Sequence, residues 1–143
     1  NGLTITTKTR KEYKMKIPKI PVSWGELFDK VTILQIKLAN LKAKSALKNV
    51  KKEHDQLCTI FDHNFSENAN AKQLMTDLKL VNQKLWDIED RIRDKERSKT
   101  FDEKFIELAR RVYFTNDDRS RIKRNINETF GSELIEEKSY ADY

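Results

Sequence analysis

One charged stretch in the middle of the chain constrains the fold more than any other feature of the sequence. Along residues 74–96, apolar side chains recur at alternating spacings of three and four, the period of a narrow helical seam shared with a neighbouring helix. Acids precede bases by four residues in Asp87–Arg91 and Glu89–Arg93, the favourable order on a helix surface. The seam consists of Leu74, Leu78, Val81, Leu85, Ile88 and Ile92. The stretch therefore predicts a long helix packed against other helices.

The composition favours an all-α protein. Charged residues make up 36% and hydrophobic residues 37% of the chain, a balance typical of long helices that bury one face. The 3 glycines and 2 prolines are too few for the many tight turns of an all-β or α/β fold. No apolar run approaches the roughly 20 residues of a membrane span, so we expect no membrane partner. The single cysteine excludes an internal disulfide and agrees with a cytoplasmic location.

The chain is expected to consist of an extension and one domain. Residues 1–14 lack a helical period, so we interpret them as a flexible leader or a non-native extension. Residues 15–143 are expected to form a single helical domain, which is an ordinary domain size. Most of the net charge of +6 lies in residues 1–22 rather than on a folded face, so nucleic acid is an unlikely partner.

Capping signals predict four to five helices. A Ser-x-x-Glu capping box at Ser23 is expected to begin the first helix, and Ser45 the second. A second capping box at Thr100 and a cap within Thr115–Asp118 would divide the last helical region into two helices. Gly131 is placed to end the last of them. We therefore predict antiparallel, coiled-coil-like helical hairpins that form a bundle.

Two segments outside the predicted helices carry apolar residues that would be costly to leave in water. They are Met15–Val22 and Leu134–Tyr140. A short two-stranded ribbon joining the termini would cover these residues and would pair their backbone groups. The ribbon would also bring Glu136 and Lys138 close to Ser23.

The motifs of common enzyme classes are absent from the sequence. Its 3 glycines are too dispersed for a phosphate-binding loop. His54 and Cys58 lie four residues apart on a predicted helix, but a zinc site needs three or four ligands. We therefore interpret the pair as packing residues and expect no catalytic residue, no metal and no cofactor.

Polar and aromatic residues that packing or capping does not fully explain form our candidate binding site. Asp29 and Lys30, for example, lie in the second turn of a helix whose other positions are largely apolar. Cationic side chains from several helices would be able to clamp an anionic ligand. The candidates are Ser23, Glu26, Asp29, Lys30, Trp86, Asp90, Arg93, Tyr113, Asn116, Asp117, Arg119, Glu137, Lys138 and Tyr140.

Four motifs in these regions resemble a bacterial family of uncharacterised proteins, a domain of unknown function. They are Pro-Val-Ser-Trp-Gly-Glu-Leu-Phe-Asp-Lys from Pro21, Leu-Trp-Asp-Ile-Glu-Asp-Arg-Ile-Arg from Leu85, Val-Tyr-Phe-Thr-Asn-Asp from Val112 and Glu-Glu-Lys-Ser-Tyr from Glu136. The resemblance covers nearly the whole chain from Met15. Relatives beside glycosyltransferases, or fused to tetratricopeptide repeats, imply a link to surface-glycan biosynthesis. The resemblance implies no activity.

We interpret the protein as a non-enzymatic helical interaction or accessory module. The alternative is a small all-helical enzyme or a binding protein for an anionic small molecule. A concave pocket lined by Lys30, Arg93 and Arg119 would favour the alternative, whereas a flat apolar face rimmed by charges would favour a protein partner. Ile33 and Ile36 lie off the main apolar stripe of the first helix, so we expect a homodimer.

Overall fold

Four α-helices form the protein in a computed structural model that describes residues 16–143. They are α1 (Trp24–Asn40), α2 (Lys44–Phe65), α3 (Ala69–Arg97) and α4 (Glu103–Thr129). No strand occurs within residues 16–143, so the predicted all-α fold is confirmed there. The predicted extension at residues 1–14 lies outside the described residues, as does Met15. In the described part of the chain, no helix is long and apolar enough to cross a membrane.

The helix α1 is central to the bundle because it packs against each of the other three helices. α2 runs antiparallel to α1, since Trp24 and Phe28 near the start of α1 contact Phe65 at the end of α2, with ring centroids 5.0 and 5.2 Å apart. α3 packs most extensively against α4, and across their connecting turn Lys95 Nζ lies 2.8 Å from Asp102 Oδ2. The fold is thus two helical hairpins joined through α1.

The main core lies where the two hairpins meet, and all four helices contribute to it. The predicted seam of α3 is largely confirmed, because Leu74, Leu78, Val81 and Ile88 are buried and Leu85 and Ile92 are half-buried. Full burial of a leucine, valine or isoleucine side chain stabilises the fold by about 1.5–3 kcal/mol. The core consists of Phe28, Phe61, Phe65, Ala71, Leu74, Leu78 and Ile126.

The predicted start of the first helix and the predicted end of the last are both confirmed. Ser23 Oγ accepts a hydrogen bond from Glu26 N at 3.2 Å. The reciprocal half of the capping box is replaced, because the Glu26 carboxylate accepts from Lys123 Nζ at 2.6 Å. After α4, Gly131 adopts a φ of 61°, the left-handed conformation that commonly follows a helix.

Two predicted caps are wrong. α2 begins at Lys44 without a side-chain cap, so Ser45 lies inside the helix. α4 is capped by Asp102 rather than Thr100, because Asp102 Oδ1 accepts from Phe105 N at 3.0 Å. The Asp102 carboxylate is preferred over the Thr100 hydroxyl because a negative charge is favourable at the start of a helix. Asp102 also pairs with Lys95 across the turn.

The predicted break at Thr115–Asp118 is also wrong, because α4 continues through it. The two side chains that would cap a new helix there bind other side chains instead. Asn116 Oδ1 accepts from Arg119 Nη1 at 3.4 Å, and Asp117 accepts from the Tyr143 hydroxyl. Residues 16–143 therefore contain four helices, the lower of the two predicted numbers.

The predicted ribbon between the chain ends does not form, since neither residues 16–22 nor residues 133–143 contain a strand. Apolar side chains of both segments remain in solvent: Ile20 is 75% and Tyr140 76% exposed. Every residue of both segments is exposed, so their backbone groups need no ladder partners. The ends are instead joined by other contacts, of which the hydrogen bond from Trp24 N to Ser132 Oγ, 3.0 Å long, is one.

The edge of α1 that we expected to be exposed is largely covered. Ile36 is only 2% exposed, and Ile33 is half-buried. Both residues line a groove whose other walls come from α3 and α4. The apolar surface on which the dimer prediction depended is therefore mostly used within one chain.

Candidate functional site

A buried polar network, called here the Asp29 network, joins α1, α3 and α4. The side chain of Asp29 is 4% exposed, and its Oδ1 accepts from Asn82 Nδ2 and from Arg119 Nε, both at 2.9 Å. Its Oδ2 accepts from Arg119 Nη2. Two parallel bonds between a guanidinium and a carboxylate fix the plane of both groups. Asp29 therefore orients Arg119.

Lys123 is a second centre of the same network. It is 5% exposed, and its Nζ donates to Glu26 Oε1 at 2.6 Å and to Glu136 Oε2 at 2.9 Å. Asp29 Oδ2 lies 4.0 Å away. The buried ammonium is thus compensated by carboxylates from α1 and from the C-terminal segment, residues 131–143. This lysine ties the last part of the chain to the first helix.

The network holds its members in their charged forms. Burial by itself raises the pKa of Asp29, but hydrogen bonds led by that from Arg119 outweigh burial and place the pKa below its usual value. Burial lowers the pKa of Lys123, but hydrogen bonds to Glu136 and Glu26 raise it overall. Neither group has the near-neutral pKa that suits general acid–base catalysis. Within residues 16–143, every fully buried side-chain nitrogen and oxygen has a hydrogen-bond partner.

Helices α1 and α4 lie in close contact at Gly25. Its amide donates to Asn127 Oδ1 at 2.7 Å. A Cβ atom at this position would lie 2.8 Å from the Lys123 carbonyl oxygen and 2.9 Å from Asn127 Oδ1. Glycine is therefore required here for space, and the close crossing lets the polar groups of α1 reach those of α4.

A groove of about 370 Å³, the Trp86 groove, opens beside the network between α1, α3 and α4. Four of its lining residues are apolar or aromatic, two are acidic and two are cationic. Trp86 itself is half-buried, and Arg93 Nε makes only a long contact of 3.4 Å with Glu89 Oε2. The lining residues are Ile33, Ile36, Asn82, Leu85, Trp86, Glu89, Asp90, Arg93 and Arg119.

A second cavity, the tail pocket, lies between α4 and the C-terminal segment and has a volume of about 650 Å³. Three tyrosines, two cationic residues and one carboxylate contribute to its lining. Arg119 lines both cavities, so the guanidinium oriented by Asp29 forms a wall between them. The lining residues are Tyr113, Asn116, Asp117, Arg119, Lys138, Tyr140, Ala141 and Tyr143.

The C-terminal segment is attached to α4 at both ends of the tail pocket. At one end, Glu136 binds Lys123. At the other, the Tyr143 hydroxyl donates to Asp117, and this hydrogen bond raises the pKa of Tyr143 to about 12. The Tyr143 ring also packs edge-on against Tyr113, with centroids 5.0 Å apart. The segment between these attachments forms the outer wall of the pocket.

The candidate residues chosen from the sequence divide among these features. Lys30 and Glu137 lie outside both cavities, since Lys30 Nζ pairs with Glu53 Oε1 at 2.8 Å and Glu137 pairs with Arg124 at 3.4 Å. The helix cap and the network contain Ser23, Glu26, Asp29 and Arg119. The Trp86 groove is lined by Trp86, Asp90, Arg93 and Arg119. The tail pocket is lined by Tyr113, Asn116, Asp117, Arg119, Lys138 and Tyr140.

Sequence reasoning missed Lys123, Asn82 and Tyr143. Lys123 follows Arg119 by four residues and precedes Asn127 by four, so the three share one face of α4. A polar stripe that runs beside an apolar stripe on the same helix was the available signal. Asn82 had no comparable signal, because its partners on α1 are about fifty residues away in sequence.

Residues 16–143 contain no group of three His, Cys, Asp or Glu side chains that could hold a metal ion. On α2, Cys58 Sγ lies 3.2 Å from His54 Nε2, and burial raises the pKa of the thiol. The pair is a local contact within one helix turn rather than part of either cavity.

Comparison with known families places the chain in one of them. A profile described as a family of unknown function (DUF6165) matches residues 18–143. The chain belongs to this family. The DUF6165 match includes all four helices, the Asp29 network and both cavities, so these features lie within the family domain. No curated protein and no solved structure matches the chain.

Proposed function

We propose that this DUF6165 domain is a non-enzymatic binding module and that its partner is a short protein segment seated in the Trp86 groove. The observation that carries the proposal is the half-buried Trp86, which lines a concavity together with three aliphatic side chains. Tryptophan is among the residue types that most often dominate the binding energy of protein interfaces. The groove is built on three helices, so its shape exists before the partner arrives.

The charges of the groove describe the segment that would fit it. Glu89 and Asp90 present acidic groups, whereas Arg93 and Arg119 present cationic ones. A partner with an apolar or aromatic side chain flanked by one basic and one acidic residue would satisfy both signs. Such mixed complementarity disfavours partners of a single charge, including nucleic acid.

The state of the buried ionisable groups supports binding over catalysis. Asp29 and Lys123 are held in their charged forms by partners that occupy their polar atoms. Removing either charge would break the contacts that join α1 to α4. In the proposal Asp29 therefore orients Arg119, Lys123 ties the C-terminal segment to α1, and the ligand contacts come from the groove itself.

Two further expectations remain proposals. The apolar surface available for a homodimer is smaller than the sequence suggested, because Ile36 is buried within one chain. An accessory role in a cytoplasmic glycan-modifying system of bacteria is supported by the family resemblance and not by a particular contact.

A selection from a random displayed-peptide library tests the proposal. We expect the selected peptides to share an aromatic or aliphatic anchor flanked by charges of both signs, and to lose at least about tenfold in affinity for Trp86→Ala. Phe101→Ala is the matched control, because Phe101 is an aromatic residue that is 56% exposed and lies outside the groove. Failure to enrich any peptide, or equal loss of affinity in both variants, would refute the groove as the binding site.

A further inference from the structure

We propose that the tail pocket is a second binding site, separate from the Trp86 groove, and that it takes a small aromatic carboxylate. Its volume of about 650 Å³ lies within the range of about 300–1,000 Å³ typical of small-molecule pockets. It also differs in chemistry from the groove, because its lining has an excess of cations and three phenol rings.

The carboxylate would be bound first by Arg119. The Nε and Nη2 atoms of Arg119 donate to Asp29, so Nη1 is the nitrogen that would donate to the ligand. Among the described residues, the hydrogen bond that Nη1 makes is the 3.4 Å one to Asn116 Oδ1, which is beyond the usual length of an N–H···O bond. A guanidinium whose plane is already fixed loses little side-chain entropy when it binds an anion.

Lys138 supplies the second cation. Its Nζ lies 3.6 Å from Glu136 Oε1, longer than a good charged hydrogen bond, while Glu136 is held more tightly by Lys123. Lys138 Nζ also lies 6.0 Å from the centroid of the Tyr140 ring. The ammonium is therefore free to exchange its weak contact for a ligand carboxylate without releasing the C-terminal segment.

The one carboxylate that lines the pocket is already engaged. Asp117 accepts the hydroxyl hydrogen bond of Tyr143, so one of its oxygens faces a donor rather than the cavity. Asp29 stands behind the guanidinium, with its side chain 4% exposed. An entering anion would therefore meet the donor edges of Arg119 and Lys138 ahead of the acidic groups that balance them.

We infer the aromatic part of the ligand from the side chains that line the tail pocket. Tyr113, Tyr140 and Tyr143 line the open pocket, and Tyr113 and Tyr143 already pack against each other edge-to-face. A ring inserted beside them would gain the offset or edge contacts that aromatic groups prefer. A small inorganic anion would fill little of the volume and would add no contact with these rings.

Isothermal titration of the full chain with three matched probes tests the assignment. Benzoate carries both features, benzamide carries the ring without the charge, and acetate carries the charge without the ring. We expect benzoate to bind at least about tenfold more tightly than either of the others. Equal affinity for benzamide would refute the role of the cations, and equal affinity for acetate would refute the role of the tyrosines.

Variants locate the site. Lys138→Ala and Tyr140→Ala should each weaken benzoate binding by about tenfold, whereas Lys104→Ala, an exposed lysine elsewhere on α4, should not change it. Arg119→Lys keeps a cation opposite Asp29 but removes the planar guanidinium and its several N–H donors. The variant should therefore weaken binding without unfolding the protein. Binding that survives all three pocket variants, or no binding of benzoate at all, would overturn the proposal. The Trp86→Ala variant should bind benzoate normally, so the proposals for the tail pocket and for the Trp86 groove are tested independently.

Discussion

Replacing Asp29 with alanine tests the physical basis of the whole arrangement. The substitution removes the acceptor of three hydrogen bonds and leaves Arg119 and Asn82 without their buried partner. Removing one member of a buried charge pair costs about 3–5 kcal/mol. Because the Arg119 side chain is 24% exposed and can recover some hydration, we expect the lower end, about 3 kcal/mol.

Urea denaturation followed by circular dichroism measures this loss. With a slope of about 2 kcal/mol per molar for a protein of this size, a loss of about 3 kcal/mol lowers the midpoint by about 1.5 M. Asp87→Ala is the control, since Asp87 is an exposed carboxylate on α3 that accepts from Gln83 at 3.0 Å. Its midpoint should change by no more than the equivalent of about 0.5 kcal/mol.

A double-mutant cycle with Arg119→Ala separates pairing from other effects. If the two side chains stabilise the fold together, the double variant should lose clearly less stability than the sum of the single variants. Strict additivity, or a loss below about 1 kcal/mol for Asp29→Ala, would show that the pair does not hold α1 against α4.

The remaining predictions concern pH, the helix cap, the close crossing and self-association. Because Asp29 and Glu136 have lowered pKa values in the folded protein, the stability that they contribute is present above about pH 4 and is lost as the pH falls further, which acid titration of the unfolding free energy measures. Ser23→Ala should cost about 0.5–2 kcal/mol in the same denaturation assay, and an unchanged midpoint would contradict the capping role. Gly25→Ala should cost about 1–3 kcal/mol because its new methyl group would overlap the backbone of α4, so a more stable variant would refute the close crossing. Sedimentation equilibrium should give a mass above the 17.0 kDa of one chain if the predicted dimer forms, and 17.0 kDa throughout the micromolar range would exclude it.

The helices were predictable from sequence because their signals are local. The seam of α3 depends on spacings within one helix and the cap at Ser23 on residues within one turn; the cap is confirmed, and the seam is largely confirmed. The break predicted within α4 was wrong although Asn116 and Asp117 resemble capping residues. Asn116 accepts from Arg119 within the same helix, and Asp117 accepts from the distant Tyr143. Where a polar side chain has two uses, tertiary contacts decide between them.

The candidate site could be predicted only in part, for the same reason. Residues selected as unexplained polar positions, such as Arg93 and Tyr113, do line cavities, whereas Lys30 pairs with a neighbouring helix instead. The sequence offered no means of pairing Asp29 with Arg119, ninety positions away. Lys123 was overlooked because a lysine is normally exposed, and its burial makes sense only once both carboxylate partners are in place.

The long sequence separations within the Asp29 network have a consequence for synthesis on the ribosome. α1 emerges before the other helices, yet Gly25, Glu26 and Asp29 acquire hydrogen-bond partners from positions 119–127. Trp24 acquires one from Ser132 in the C-terminal segment. Until those residues have left the exit tunnel, the nascent chain holds a helix whose carboxylates must stay hydrated and whose apolar face cannot close against α4. The α3–α4 hairpin, in contrast, requires only neighbouring contacts. Docking of α1 against α4 is therefore expected to be the last step of vectorial folding, completed only when the C-terminal segment arrives.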